Sequence, residues 1–325
     1  MSTIRKRPLG ATGMQVSELG LGTWPLGGVA DRQGALNYGD CPEKDALDII
    51  AAYVDAGGNH LDSAYNYWGA EARIGKYLKS ARNRDHMILT SKIWPVDEAA
   101  VRQCLDQSRR DFGTDVIDVL YLHNPPDDVD EMNRVLDLYC RLKDEGKIRA
   151  IGATIKGHNV TSETVRLMRQ YIASGRTDVI MCIFSALRQK TGQAFAEAHA
   201  AGVGIVLRTT LESGFLTGAF KPGHVFAGPQ DHRARWPRKK LDQILELVEA
   251  FNRAVVKPPY RTTAEVATRF ALDTPHVSSV LQGVLKVSEL RENLTVLDLP
   301  ALDEHTMALI RGQFGHHETT VSLDL

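Results

Sequence analysis

The stretch NHLDSAYNYWGAE, Asn59 to Glu71, sets a carboxylate, Asp62, five residues ahead of a phenol, Tyr67. It begins like the end of a buried strand and finishes like the start of a helix. Asp is common in turns and Tyr anchors loops, so the pair alone has an ordinary structural explanation. Two further polar side chains end apolar runs: Lys92 closes MILTSK and His123 closes VIDVLYLH. The four types can do one job together. A phenol, with a reference pKa of about 10, is a weak acid at neutral pH, and a neighbouring ammonium favours its phenolate. A lysine in a partly dry pocket would itself lose its proton unless a carboxylate held it charged, which is the part suited to Asp62. A histidine alongside can donate a hydrogen bond to a substrate oxygen and turn it towards the phenol. Asp62, Lys92 and Tyr67 thus read as a proton-donating relay, with His123 as the orienting donor.

Such a relay needs elements that bring distant positions to one point. From Leu19 onward the chain alternates short β-rich runs with longer amphipathic ones. The runs SELGLG, NHLD, MILTSK, VIDVLYLH, IRAIGAT, TDVIMCIF, VGIVLR and VSSVLQ are the expected strands. Segments such as PEKDALDIIAAYVDAG and TSETVRLMRQYIASG between them have helical spacing, capping residues at the start and Gly at the end. Near-continuous apolar strands separated by helices imply a parallel sheet covered on its outer face. Eight such units predict an α/β fold of the (β/α)8 TIM-barrel type, about 250 residues in its usual size, here as a single barrel domain over residues 1–325. The surplus is expected as an N-terminal β-hairpin, RKRPLGATGMQV, plugging the bottom of the barrel, and as additional helices and loops towards the C-terminal side of the chain. The long Gly-rich segment TTLESGFLTGAFKPGHVFAGPQDHRARWPRKK has the length of a functional lid. In such a barrel the C-terminal strand ends converge on one mouth. That rule gathers Asp62, Lys92 and His123, with Tyr67 just beyond. It also makes Trp24, Trp68 and Trp94 candidate walls of a substrate pocket.

Bulk properties narrow the function. The chain has 325 residues, 43% hydrophobic and 24% charged, with a formal net charge of −1. That balance argues against a nucleic-acid or anionic-membrane partner, which would need an excess of Lys and Arg. No apolar span of transmembrane length is present, and MSTIRKRPLG lacks the apolar core of a secretion signal, so a cytoplasmic location is expected. Cys41, Cys104, Cys140 and Cys182 are widely spaced and read as reduced, packed thiols.

Asp-x-x-x-x-Tyr after the second strand, Ser-Lys ending the third and Leu-His ending the fourth resemble the tetrad of the aldo-keto reductases. The hairpin followed by VSELGLGTWPLGG, then GKIRAIGAT, the SGFLTG run and the spacing from Gly283 to Asn293 resemble that family too, so the likeness spans nearly the whole chain. The resemblance implies NAD or NADP lying extended across the mouth, and hydride exchange with a small-molecule carbonyl or alcohol, with Tyr67 as general acid and base. It implies cofactor contacts from Gly22, Thr23, Trp24, Asp62, Thr154 and Arg208, and stacking of Phe184 on the nicotinamide. Thr209, Leu211 and Ser213 would approach the pyrophosphate, and Gly283, Glu289 and Asn293 would face the adenosine end. No Gly-x-Gly-x-x-Gly opens a helix after a strand, and the family does not need one.

The chain departs from the family pattern in two places. Where many members hold the nicotinamide carboxamide with Asn and Gln, this sequence has Ile155 and Met181, which cannot make those hydrogen bonds, although Thr154 could supply one. Where NADP-preferring relatives place an Arg, it has Leu285 and Glu289; a carboxylate repels a 2′-phosphate but accepts from a ribose hydroxyl, which leans the reading towards NAD, with Lys286 partly offsetting it. A redox-sensing regulatory module that binds cofactor with little turnover is the alternative function, and a metal-dependent hydrolase using His60, Asp62 and His123 is a third, weaker for want of a His-x-His; no metal is expected. The basic cluster HRARWPRKK reads either as an anion-binding lid or as a solvated loop face, and His316 and His317 read as tail residues.

Overall fold

Two short strands, β1 (Lys6–Pro8) and β2 (Gln15–Ser17), pair antiparallel with Arg7 opposite Val16, forming the expected hairpin. The computed structural model describes residues 3–29, 36–94, 97–155, 160–226, 228 and 230–317. Eight parallel strands then close a barrel: β3 (Leu19–Gly22), β4 (His60–Asp62), β5 (Ile88–Ile93), β6 (Ile117–His123), β7 (Ile148–Thr154), β8 (Val179–Ile183), β9 (Gly204–Arg208) and β10 (Val277–Gln282), with β10 hydrogen-bonded to both β9 and β3. The α/β barrel expected from the strand–helix alternation is therefore the observed architecture.

The helices are α1 (Glu43–Asp55), α2 (Ala70–Ala81), α3 (Glu98–Phe112), α4 (Val129–Asp144), α5 (Ser162–Ala173), α6 (Phe195–Ala200), α7 (Arg238–Val255), α8 (Thr263–Asp273), α9 (Val287–Thr295) and α10 (Glu304–Gln313). Their sequences explain their bounds. In α3, Val101, Leu105, Ser108 and Phe112 make the buried stripe, Asp97 caps the start by accepting from the Ala100 amide at 3.0 Å, and Gly113 ends it at φ 67°. α10, an addition to the expected set, is started the same way by Asp303, which accepts from the Thr306 amide at 2.7 Å. After β9 the described residues of the long segment carry only short 3-10 turns, Glu212–Thr217 and His232–Arg235, before α7. Among the described residues no helix is long and apolar enough to cross a membrane.

Two apolar layers set which way each strand residue points. The outer layer, between strands and helices, holds Leu21, Leu61, Leu89, Leu122, Ala153, Ile180, Cys182 and Leu207. The inner layer holds Ile88, Val119, Tyr121, Ala150, Val179, Met181, Val206 and Leu281, and the hairpin closes it from below with Leu9, Met14 and Val16. Side chains alternate along a strand. The inward series therefore continues upward, two residues at a time, to Asp62, Lys92, His123, Thr154 and Arg208.

Candidate active site

At the mouth the carboxylate of Asp62 is held on both oxygens: Oδ2 lies 2.8 Å from Lys92 Nζ, and Oδ1 accepts from Thr90 Oγ1 at 2.7 Å. Its backbone carbonyl accepts from both the amide and the hydroxyl of Thr23, each at 2.9 Å, which ties β4 to the chain leaving β3. Lys92 is 1% exposed and also donates to the Ser63 carbonyl at 2.6 Å. Its Nζ lies over the ring of Tyr67, 4.7 Å from the centroid. Burial works against the ammonium, but the charge of Asp62 and then the phenol of Tyr67 outweigh it and hold Lys92 above the ordinary lysine value. Tyr67 sits in a tight turn, its amide bonded to the Ala64 carbonyl at 2.9 Å, and is half-buried.

His123 is half-buried and stacked on Trp94, with ring centroids 4.8 Å apart. Burial, then the charges of Lys92 and Arg208, push its pKa down to about 3, so the ring is neutral at ordinary pH. Its Nδ1 is shut off from solvent without a hydrogen-bond partner. One layer below, His60 Nδ1 meets Ser279 Oγ at 2.9 Å; that hydroxyl donates to the Ser17 carbonyl, so Nδ1 carries the proton. Burial lowers the His60 pKa to about 4.

Structure thus gathers Asp62, Tyr67, Lys92, His123 and Trp94 at one mouth, with Thr154 and Arg208 on neighbouring strand ends. Trp68, at φ 49°, lies against Gly27, where an added Cβ would come 3.1 Å from the indole and 2.3 Å from the Tyr67 carbonyl. Trp24 is engaged elsewhere: it meets Tyr38 edge-on at 5.1 Å and stacks on His232 at 5.3 Å. Phe184 is placed apart from the mouth. It shares the outward face with Ile180 and Cys182, is 3% exposed and stacks on Phe270 at 5.7 Å, so it is a core ring between sheet and helices. Ile155 donates its amide to the Met181 carbonyl at 2.8 Å, and the Thr154 hydroxyl points at the Met181 sulfur at 3.9 Å.

The chain after β9 turns through Thr209, Glu212, Ser213 and Gly214, all at positive φ. Glu212 is fully buried; it binds Arg188 on both oxygens, at 2.9 and 2.8 Å, and the Ser185 hydroxyl, which anchors the turn from behind. Ser213 presents its carbonyl to Arg233 Nη1 at 3.0 Å. The reading of HRARWPRKK as a solvated face holds for Arg235, Arg238 and Lys239 and fails for Arg233 and Trp236. Arg233 is clamped by Asp231 at 2.7 Å, and Trp236 stacks on Phe215 at 5.3 Å. Asn37 joins this segment to the loop after β3, taking the His232 amide at 2.9 Å and donating to the Trp24 carbonyl at 2.7 Å. At the far side Gly283 passes so close to Pro25 that a Cβ would sit 2.8 Å from its Cγ. Glu289 accepts from the Leu285 amide at 2.8 Å, and Asn293 lies half-buried on α9.

Sequence reasoning missed Thr90, which fixes the second oxygen of Asp62, although its place two residues before Lys92 on the same strand face was a usable signal. It also missed Tyr38, which packs on the Arg233 guanidinium at 4.9 Å from a loop with no periodicity to mark it. Among the described residues no group of three or more His, Cys, Asp or Glu side chains could hold a metal ion.

The family model for the aldo/keto reductase family matches residues 18–313. An NADH-specific methylglyoxal reductase of Escherichia coli is 26% identical, covering 92% of this chain and 95% of that protein. An L-galactose dehydrogenase of Arabidopsis thaliana is 27% identical, over 95% and 93% of the two chains. Among solved structures, an aldo-keto reductase of Bacillus halodurans in its holo form superposes with a TM-score of 0.74 over 95% of both chains at 23% identity, a likeness of fold.

Proposed function

Because this chain belongs to the aldo/keto reductase family, we propose that it is an NAD(P)-dependent oxidoreductase acting on the carbonyl of an aldehyde, ketone or sugar-like substrate, with Tyr67 as general acid and base. The observation that carries this reading is the buried Asp62–Lys92 pair, 2.8 Å apart, directly under the Tyr67 ring. Two features suit an extended dinucleotide: the left-handed turn Glu212–Gly214 and the side-chain-free edge where Gly283 passes Pro25. Thr209, Leu211 and Ser213 would hold its pyrophosphate and Gly283, Glu289 and Asn293 its adenosine end; Gly22, Thr23 and Thr154 would lie near its nicotinamide. The chemistry that group supplies when bound is hydride exchange with a carbonyl carbon.

The chain's own residues handle the proton. Lys92, kept charged by Asp62, stabilises the phenolate left when Tyr67 gives its proton to the substrate oxygen, and the same phenolate takes a proton back in the oxidative direction. A neutral His123 can donate one hydrogen bond to that oxygen without competing as an acid. Trp94 fixes the imidazole plane by stacking and forms part of the pocket wall. NAD is favoured over NADP. The Glu289 carboxylate at the adenosine end supports this, and so does the Escherichia coli relative, described as NADH-specific.

Two measurements test the reading. Purified protein with NADH or NADPH should change its nicotinamide absorbance on some member of a carbonyl panel; cofactor binding with no turnover on any member would favour a regulatory module instead. Fluorescence titration should show tighter binding of NADH than of NADPH, and the reverse order would overturn the cofactor preference.

A further inference from the structure

The three buried arginines among the described residues each have an acid. Arg188 is bidentate on Glu212, Arg233 is clamped by Asp231, and Arg269 is paired with Asp273. Arg208 is half-buried and has none. It stands at the last inward position of β9, its Nη2 has only a long contact to the Ile155 carbonyl at 3.5 Å, and its Nε is shut off from water with no acceptor. Leaving a buried guanidinium N–H without an acceptor is expensive. Among the described inward groups of the mouth, one carboxylate, Asp62, stands with two cations, Lys92 and Arg208, while His123 stays neutral.

The charge of Arg208 is felt by His123, and Arg208 in turn feels Tyr67. All three stand at the same barrel mouth, Arg208 as the last inward residue of β9 and His123 as that of β6. We infer that Arg208 is a specificity-determining residue whose guanidinium receives a carboxylate carried by the carbonyl substrate, so that the preferred substrates are oxo acids or formyl acids. A planar guanidinium suits a carboxylate because it can donate two parallel N–H bonds. A cofactor phosphate is the other source of an anion, but a ribose and the pyridine ring separate the pyrophosphate from the carbon that carries the hydride. The cation touching the turn proposed for the pyrophosphate is Arg233, which binds Ser213. The inference rests on the carbonyl-oxidoreductase reading above, and its test has a part that does not.

Rates with 2-, 3- and 4-carboxybenzaldehyde are compared with those of the matching formylbenzamides, which have the same shape and no charge. In the wild type at least one acid should exceed its amide in kcat/KM by about ten- to a hundredfold, the worth of a charge-assisted hydrogen bond. Arg208→Gln should bring that ratio close to one, mainly through KM, and Arg208→Lys should keep part of it. Equal rates for acid and amide in the wild type would overturn the inference. So would a parallel loss on both in Arg208→Gln with weaker NADH binding, which would make Arg208 a cofactor contact. If neither these aldehydes nor any member of the carbonyl panel reacts, the proposed function fails. Calorimetry of benzoate and benzamide binding to NAD+-saturated protein then decides: a benzoate preference lost in Arg208→Gln keeps the anion site, and equal binding removes it. Melting curves show that both variants fold.

Discussion

The two ends of the barrel both bury charge, and they treat it differently. At the bottom, Glu18 is 1% exposed and holds Arg5 at 2.8 Å and Arg7 at 2.7 Å. Asp118, equally buried, takes Arg84, Arg149 and the Leu89 amide. Every oxygen there has a donor and the arginines reach water, so Glu18 ties the hairpin to the start of β3, and Asp118 ties β6 to β5 and β7. At the mouth only the Asp62–Lys92 pair is closed. Tyr67 is half-buried there, and His123 Nδ1 and Arg208 Nε have no hydrogen-bond partner. The buried carboxylates at the bottom are closed by arginines that hold the fold, whereas the mouth gathers titratable groups that are left partly unpaired where chemistry is done.

The largest effect expected from breaking this contrast is catalytic. Tyr67→Phe removes the proton donor without disturbing the Asp62–Lys92 pair, so kcat/KM should fall by about 10²–10⁴-fold on any carbonyl substrate. Cofactor binding by fluorescence should change little; a variant retaining a tenth of its activity would assign the proton to another group. Next come the paired carboxylates. Asp62→Asn strands a fully buried ammonium and should cost about 3–5 kcal/mol in denaturant unfolding, together with activity. Glu18→Gln leaves arginines that can turn to water and should cost about 1–2 kcal/mol with kcat intact. Equal losses at the two ends would erase the distinction.

Sequence made the contrast half visible. The strand ends were legible because an apolar run closing on a polar residue announces both an end and a direction: NHLD, MILTSK and VIDVLYLH each stop at a residue that turns inward. The hairpin was legible from its turn residues. The face of an all-apolar strand was not. VIMCIF offers no alternation, so Phe184 could be assigned to the mouth, whereas its parity with Ile180 and Cys182 puts it among the helices. The long segment failed for another reason. HRARWPRKK looks solvated because the partners that bury Arg233 and Trp236, namely Ser213, Tyr38 and Phe215, come from turns whose positions no local pattern encodes. Arg208 was placed in the cofactor site by likeness, but its lack of an acid could be seen only once every neighbour was in place.

The smallest expected effects are in the pH dependence of stability, and here the mouth and the layer behind it differ in sign. Burial holds His123 at about 3 and His60 at about 4, against about 6.5 unfolded. Their contribution is complete above about pH 6.5 and is lost as pH falls, because the unfolded chain takes up the protons first. Behind β5, Glu71 is 3% exposed and hydrogen-bonded to Ser91. Its carboxyl is raised to about 7 by burial, with Ser91 and Ser108 opposing, Asp111 adding and Lys92 subtracting. A raised acid contributes stability that is fully present below its unfolded value of about 4.5 and is lost as pH rises through about 7. Wild-type melting temperature should therefore decline on both sides of a maximum near pH 6. Glu71→Gln, an uncharged isostere, should match the wild type at pH 5 and melt higher at pH 8, while His123→Asn should flatten the acid side alone. A Glu71→Gln curve parallel to that of the wild type across the whole range would mean that this carboxyl stays ionised in the fold, and that the layer behind β5 tolerates charge as the bottom of the barrel does.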